Sequence, residues 1–320
     1  MKHQILQFLK EQSYPVFLEE IAQKFNISQS LVQDVLTFWS SFGYEVECIP
    51  HLGYRLKPVE EELDEPKIKA VLKTQWLAQE IIYLPTCPST NDFLLSYVMN
   101  EPFLNGMIAI TDQQTKGRGK LDRQWYAEPK SSLTFSCVLK KHLLIHPSLY
   151  VLTTAIALAE CLREDFKLKA YIKWPNDIFV ENRKIAGILA DFKMVHAESL
   201  LIIGVGMNVF QTMEQFNNCS LFEATSLSHH VACTLSRINI LEKFFRHWEI
   251  WLDKINLEKG DIIRKWDQYS LLNQKQVSVQ TELGSIIGSA LGIDENGFLK
   301  IKNQNGDIVS VMSGDVEWIQ

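Results

Sequence analysis

No apolar run in this chain reaches the roughly 20 residues needed to cross a bilayer, so no membrane span is expected. The first ten residues, Met1 to Lys10, are interrupted by polar side chains every few positions, which argues against a signal peptide. The six cysteines (Cys48, Cys87, Cys137, Cys161, Cys219, Cys233) form no Cys-x-x-Cys pair and no regular framework. They read as reduced, mostly buried thiols of a cytoplasmic protein, and no metal-ligand set is expected. Positive charge is scarce: 32 Lys and Arg stand against 38 Asp and Glu, a net charge of −6. General nucleic-acid binders are usually basic, so any contact with DNA would have to be local. No internal repeat or low-complexity tract is visible. Two familiar glycine loops are also missing. A P-loop needs Gly, four residues, then Gly-Lys-Ser/Thr, but Gly119-Lys120 is followed by Leu121 and no glycine sits five places earlier. A Rossmann fingerprint needs a third glycine where Asp122 stands.

What is present begins with length and apolar content. At 320 residues, two or three domains are expected, and 46% hydrophobic residues are ample for a large core. The chain is organised around Gln114-Thr115-Lys116-Gly117-Arg118-Gly119-Lys120-Leu121-Asp122-Arg123-Gln124-Trp125. This stretch lies between an apolar run, Met107 to Ile110, and an alternating run, Ser132 to Val138, both of which read as strands. Gly117 and Gly119 would let the backbone turn with positive φ and approach a ligand. Successive amides in such a turn can hold an anion, and Lys116, Arg118, Lys120 and Arg123 add positive charge. Trp125 offers a face on which a base could stack. Alone, the loop reads as an exposed basic turn rather than as a ligand site.

Further motifs accompany it: Ser89-Thr90-Asn91, Lys173-Trp174-Pro175-Asn176-Asp177, Lys184-Ile185-Ala186-Gly187, and Gly204-Val205-Gly206-Met207-Asn208. Ser89 with Asp92 three residues on predicts a capping box at a helix start. Hydroxyls and an amide there could also bind a polar ring with both donors and acceptors. Pro175 ends a strand, and Glu181-Asn182 predicts a tight hairpin turn. Lys173 and Lys184 flank that hairpin with Asp177 between them, so Lys184 would stand at the edge of a dry pocket as an electrostatic catalyst. Glycines inside the strand 200–209 mark a close approach of another group.

In this order, the motifs resemble those of the biotin protein ligases over roughly Pro85 to the C-terminus. The resemblance implies an α+β chain in three parts. Residues 1–64 would be a winged helix-turn-helix plus acidic linker, 65–270 a mixed-sheet ligase domain of the biotin/lipoate ligase superfamily, and 271–320 an SH3-like β-barrel. It implies that biotin and ATP are substrates and Mg²⁺ a cofactor. Biotin carboxylate attacks the ATP α-phosphorus, pyrophosphate leaves, and a lysine of a biotin carboxyl carrier protein then takes biotin from biotinyl-5′-AMP. The biotin-binding residues implied are Ser89, Thr90, Asn91, Gln114, Arg118, Gly119, Lys120 and Lys184. Those implied for ATP and adenylate are Gly117, Arg118, Lys120, Arg123, Trp125, Lys173, Asn176 and Asn208. Lys184, Arg118 and Asp177 would be catalytic, Asp177 as acceptor of the carrier lysine's proton. The family commonly has Arg at position 120, and Lys keeps the charge without the bidentate fork.

The N-terminal part carries its own signals. Helical spacing marks Ile5 to Leu9, Leu18 to Phe25 and, after a Ser28 cap, Leu31 to Leu36. Residues 43–48 and 53–56 read as a two-stranded wing. The third helix would enter the DNA major groove, yet its exposed positions are Gln29, Ser30, Gln33, Asp34 and Thr37, without Lys or Arg. Over residues 1–60, five cations (Lys2, Lys10, Lys24, Arg55, Lys57) face seven anions (Glu11, Glu19, Glu20, Asp34, Glu45, Glu47, Glu60). Phosphate contacts would be few. Two readings stay open: a biotin-operon repressor that binds DNA as a homodimer, and an accessory unit that only modulates the enzyme. Residues 58–66, acidic and proline-bounded, read as a linker that marks the first domain boundary. For the whole chain, the rival readings are a lipoate or octanoate ligase, a non-catalytic biotin-sensing repressor and a general nucleotide-binding module.

Overall fold

In the computed structural model, residues 1–57, 63–120, 123–140, 146–195, 198–255, 257–282 and 284–318 are described. Among them no helix is long and apolar enough to cross a membrane.

Three helices open the chain: α1 (Lys2–Glu11), α2 (Leu18–Phe25) and α3 (Gln29–Ser41). Asn26 ends α2 in the left-handed region, where asparagine is tolerated, and the Ser28 hydroxyl accepts the Leu31 amide to start α3. Ile5, Leu6, Leu9, Ile21, Val32, Val35 and Trp39 close the core between them. A hairpin follows, β1 (Val46–Ile49) and β2 (Gly53–Leu56).

Only the end of the expected linker is described, and there the chain is buried and then helical. Residues 58–62 lie outside the described residues, but Leu63 is fully buried and Asp64 caps a new helix, α4 (Glu65–Val71). Glu65 is buried against α1, accepting from Gln7, with His3 at 3.6 Å and Lys69 at 2.8 Å. These cations and hydrogen bonds outweigh burial and hold the Glu65 carboxyl down at about 2. A proline in the first turn and an aspartate cap are helix-start chemistry as much as linker composition. Here the buried partners on α1 decided.

The main sheet has seven strands in the order β3-β4-β5-β9-β8-β7-β6. They are β3 (Ile81–Leu84), β4 (Ile108–Thr111), β5 (Ser132–Lys140), β6 (Ala170–Lys173), β7 (Asp177–Val180), β8 (Arg183–Val195) and β9 (Glu198–Asn208). Among the described strands only β3 and β4 run parallel, joined through α5 (Thr90–Asn100). The β7–β8 turn is made by Glu181 and Asn182, both with φ near +55, as a type I′ hairpin requires. Helices α6 (Pro147–Glu164), α8 (Arg237–Lys254) and α9 (Lys259–Tyr269) pack together beside the sheet, and α7 (Met213–Asn218) lies in the loop after β9. The aromatic face of α8, including Phe244, Phe245, Trp248 and Trp251, is core, as its spacing predicts.

The C-terminal unit is an antiparallel sheet ordered β13-β12-β11-β10-β14. Its strands are β10 (Gln276–Thr281), β11 (Gly284–Ile293), β12 (Leu299–Asn303), β13 (Ile308–Val311) and β14 (Asp315–Trp318). The last strand has only four residues with one buried apolar side chain, Val316, and hydrophobic periodicity does not reveal it. Of the cysteines, Cys87, Cys137 and Cys161 are buried, while Cys48 and Cys233 are exposed, fewer buried than expected.

Candidate active site

A cleft of about 320 Å³ opens where the start of α5, the 112–131 loop, β8, β9 and β14 meet. Every expected site residue except Gly117 lines it.

Its inner end is a neutral recess. Ser89, Thr90 and Asn91 are each under 5% exposed. The Ser89 hydroxyl accepts the Asp92 amide at 3.4 Å, capping α5. The reciprocal half of the capping box does not form, because the Asp92 carboxylate pairs with Arg118 at 2.7 Å. Thr90 donates its amide and hydroxyl to Gln114 Oε1 at 2.8 and 3.1 Å. The Ser136 hydroxyl lies 2.6 Å from Thr90 Oγ1 and 2.5 Å from Asn91 Oδ1; with one proton, it can donate to only one at a time. Asn91 Nδ2 donates to Asp191 at 2.8 Å. Gly204 makes room for Asn91, since a Cβ there would lie 2.2 Å from Asn91 Oδ1. Gly206 does the same for Trp125, 2.4 Å from the indole. The close approach expected at these glycines is therefore by side chains.

The outer rim is cationic. Arg118 bridges Asp92 and Asp191 at 2.7 and 2.8 Å. The Lys184 ammonium lies 2.7 Å from Asp177 Oδ1 without hydrogen-bond alignment, and 5.6 Å from the Trp125 ring centre. Lys184 is fixed at its backbone by Glu223 and Thr225. Lys120 donates to the Gly314 carbonyl at 3.1 Å, and its burial pulls its pKa below the usual lysine value against the opposing pull of Asp315 and Asp177. Arg123 pairs with Asp315. Lys173 sits over the Trp318 ring at 5.1 Å. Asn176 and Asn208 line the cleft with their amides engaged, Asn176 with the Ile188 carbonyl and Asn208 with Thr225 and Gln211.

Two expectations about the central loop need correction. Neither Gly117 nor Gly119 has positive φ. Gly117 is required because a Cβ would meet the Trp125 carbonyl at 2.4 Å and Gln114 Nε2 at 2.8 Å. The amides also do not simply converge on an anion. Gly119 donates to the Arg123 carbonyl and Trp125 to the Gly117 carbonyl, so the loop doubles back as a small hairpin. Leu121 and Asp122 lie outside the described residues, and Lys116 is exposed away from the cleft lining. The sequence reading missed Asp92, Asp191, Ser136 and Asp315 as partners. All are far in sequence from the groups they hold, and of the four only Asp92 belongs to a local motif, the helix start, which says nothing of Arg118.

A neutral polar recess opening onto a cationic rim defines a ligase-type cleft, one that brings an acid and a polyanion together. Known proteins agree with this class. Residues 83–208 match the Biotin/lipoate A/B protein ligase family, and residues 275–318 match the Biotin protein ligase C terminal domain. The chain is 30% identical over 279 residues to the Bifunctional ligase/repressor BirA of Bacillus subtilis, covering 86% of this chain and 85% of that protein. It is 28% identical over 238 residues to the Biotin--[acetyl-CoA-carboxylase] ligase of Mycobacterium tuberculosis, covering 71% and 85%. The biotin protein ligase of Aquifex aeolicus in complex with biotin and ATP superposes with a TM-score of 0.64 at 26% identity, over 76% of this chain and 99% of that one. The chain belongs to the biotin protein ligase family.

Proposed function

We propose that this protein joins biotin to a lysine of a biotin carboxyl carrier protein at the expense of ATP. The observation that carries the reading is the cleft itself: a neutral recess of Ser89, Thr90, Asn91 and Gln114 continuous with a rim of five cations. The recess suits a ureido ring, which offers one acceptor and two donors. The carboxylate at the other end of biotin would then reach the rim. There it attacks the α-phosphorus of ATP, the bond to the bridging oxygen breaks, and pyrophosphate leaves. Both partners are anions, and Arg118, Lys120, Arg123, Lys173 and Lys184 reduce their repulsion. Lys184 is central because it lies beside both Trp125, the proposed base platform, and Asp177.

In the second step a carrier lysine attacks the acyl carbon of the adenylate and AMP leaves. Asp177, with Oδ1 contacting Lys184 only off-axis, takes the proton lost by that amine. The 112–131 loop shields the adenylate from water. Among the described residues, no three His, Cys, Asp or Glu side chains cluster as a metal site. Three carboxylates line the cleft, Glu317 and the cation-paired Asp177 and Asp315; Mg²⁺ would enter with ATP and supply neutralisation of its phosphate charge.

The division 1–64, 65–270 and 271–320 belongs to this reading, with a winged helix-turn-helix first and an SH3-like barrel last. A repressor role is supported by the name of the Bacillus relative. The charges oppose it: the hairpin cations Arg55 and Lys57 are paired with Glu47 and Glu45, each at 2.6 Å, and Asp34 is exposed on α3. We therefore assign the N-terminal unit primarily a supporting role. Titration onto its own upstream DNA and onto random DNA tests this; tight, sequence-selective binding would overturn it. The enzymatic reading is tested by incubating the protein with ATP, biotin and a carrier domain, and weighing the carrier. Transfer of lipoate or octanoate in preference to biotin would favour the rival ligase.

A further inference from the structure

Arg237 is the first residue of α8 and is 2% exposed. It is remote in sequence from every motif discussed above. One of its terminal nitrogens, Nη1, reaches two acceptors: Asp112 Oδ1 at 2.6 Å and the Ser132 carbonyl at 3.3 Å. A guanidinium Nη carries two protons, so both bonds can exist together. Asp112 directly follows β4 and Ser132 begins β5. They are the two stems of the loop that carries Gln114, Arg118, Lys120, Arg123 and Trp125.

Other contacts converge on the same stems. The second Asp112 oxygen accepts from the Tyr83 hydroxyl at 2.7 Å, and the Asp112 carbonyl accepts from the Lys130 amide at 3.1 Å. The Ser132 hydroxyl accepts from Gln211 Nε2 at 2.5 Å, and Gln211 also holds Asn208 at 3.1 Å. A buried charge pair is a costly way to fill space, and apolar side chains of equal volume usually serve stability as well or better. What a guanidinium provides that they do not is a charged donor held on a rigid plane, whose Nη1 directs its two protons at both acceptors at once.

We propose that Arg237 is a positioning residue that staples the two stems of the 113–131 loop and thereby sets how tightly the loop closes over the adenylate. The inference rests on the adenylate-shielding role proposed for that loop. Arg237 touches no substrate and acts through Asp112 and Ser132. A lysine at this position keeps the charge but carries it on a flexible stem that no plane holds between the two acceptors, so the stems could separate while the core stays filled.

The test compares Arg237→Lys and Asp112→Asn with the wild type. Two quantities are measured: the rate of biotinyl-adenylate release per active site, with active sites counted from adenylate formed in one turnover, and tryptic cleavage within Lys116 to Arg123, with and without biotin and ATP. Arg237→Lys is expected to release adenylate at least tenfold faster and to lose much of its ligand-induced protection from trypsin. A merely structural role would lower the melting temperature and the active fraction but leave release per active site unchanged; that result in the folded variants overturns the proposal. If Arg237→Lys fails to fold, Asp112→Asn, which keeps an oxygen for Tyr83, decides on the same two measurements. If the wild type forms no adenylate, the functional reading fails by itself. The cleavage rates of ligand-free protein then decide the staple: faster cutting in the variants supports it and equal cutting overturns it.

Discussion

The two ends of the cleft solve different problems. At the recess, neutral groups from α5, the central loop and β5 satisfy one another: Thr90 with Gln114, and Ser136 with Thr90 or Asn91. At the rim, cations are held by carboxylates and carbonyls from distant segments: Arg118 by Asp92 and Asp191, Lys184 by Asp177, Arg123 by Asp315 and Lys120 by Gly314. Hydrogen-bonded neutral groups can be buried in advance at little cost. A cluster of like charges cannot, and it persists because counter-charges keep it quiet until a polyanion displaces them. The recess should therefore behave as a rigid mould and the rim as a set of occupied contacts that ATP exchanges for its own phosphates.

The largest break in this comparison is expected from Lys184→Ala. It removes a rim cation at the reacting centre and leaves Asp177 uncompensated. The loss should be about 3 kcal/mol or more, the scale of deleting one electrostatic donor from an active site. Biotin-dependent pyrophosphate exchange should fall more than about 100-fold at unchanged fold, and exchange near the wild-type rate would remove Lys184 from the chemistry.

Next is Gly204→Ala, aimed at the recess alone. The new methyl would meet Asn91 Oδ1, so the amide must move, taking Oδ1 from Ser136 and Nδ2 from Asp191. Overpacking of this kind costs about 1–3 kcal/mol. The KM for biotin should rise about 30-fold while that for ATP changes little. A parallel rise in both would mean that the recess and rim are not separable.

Trp125→Ala sharpens the comparison from the other side. Base stacking on an aromatic is worth about 1–3 kcal/mol, so ATP affinity should drop about tenfold and biotin affinity without ATP should hold. Collapse of biotin affinity instead would place the indole over the wrong substrate.

The recess was more legible in the sequence than the rim, and the reason is distance along the chain. Ser89-Thr90-Asn91 is a helix start, and its cap follows from residues three apart. At the rim only the Lys184–Asp177 pair is legible in the same way, because the Glu181-Asn182 turn brings the two together through local hairpin chemistry. In contrast, Arg118 meets Asp191 across 73 positions and Arg123 meets Asp315 across 192. Their partners lie on a long central strand and on β14, and a four-residue strand with one buried apolar side chain leaves little periodic signal. The same limit explains the central glycines. Sequence suggests φ as the reason for Gly117, whereas the reason is the Trp125 carbonyl folding back onto it. It explains the N-terminal boundary too, since an acidic Asp-Glu-Pro start reads as linker until Gln7, His3 and Lys69 are seen around Glu65.

The smallest expected effect probes how the C-terminal unit reaches the rim. Asp315 opens β14 and pairs with Arg123, while its neighbour Gly314 accepts from Lys120. Through these contacts the C-terminal sheet holds the side of the central loop opposite the stems. Arg123 is 66% exposed, so the pair is screened by solvent and contributes little to stability, at most about 1 kcal/mol on the scale of surface ion pairs. Asp315→Ala should therefore leave the melting temperature nearly unchanged. Its functional effect has two opposing parts. Without Asp315, Arg123 is released to meet phosphate, which favours ATP; the loop also loses one anchor, which favours escape of the adenylate. Because Lys120 keeps its bond to the Gly314 backbone, the anchor is weakened rather than lost. The net expectation is an ATP KM about twofold lower and an adenylate release rate about two- to threefold higher. Both differences should shrink as salt rises toward about 1 M, where the Debye length falls to about 3 Å. Measuring both constants at low and high salt separates the parts. A change in release that salt does not touch would mean that the C-terminal unit holds the loop by packing, with Val316 and Glu317 at the cleft wall, and not by charge.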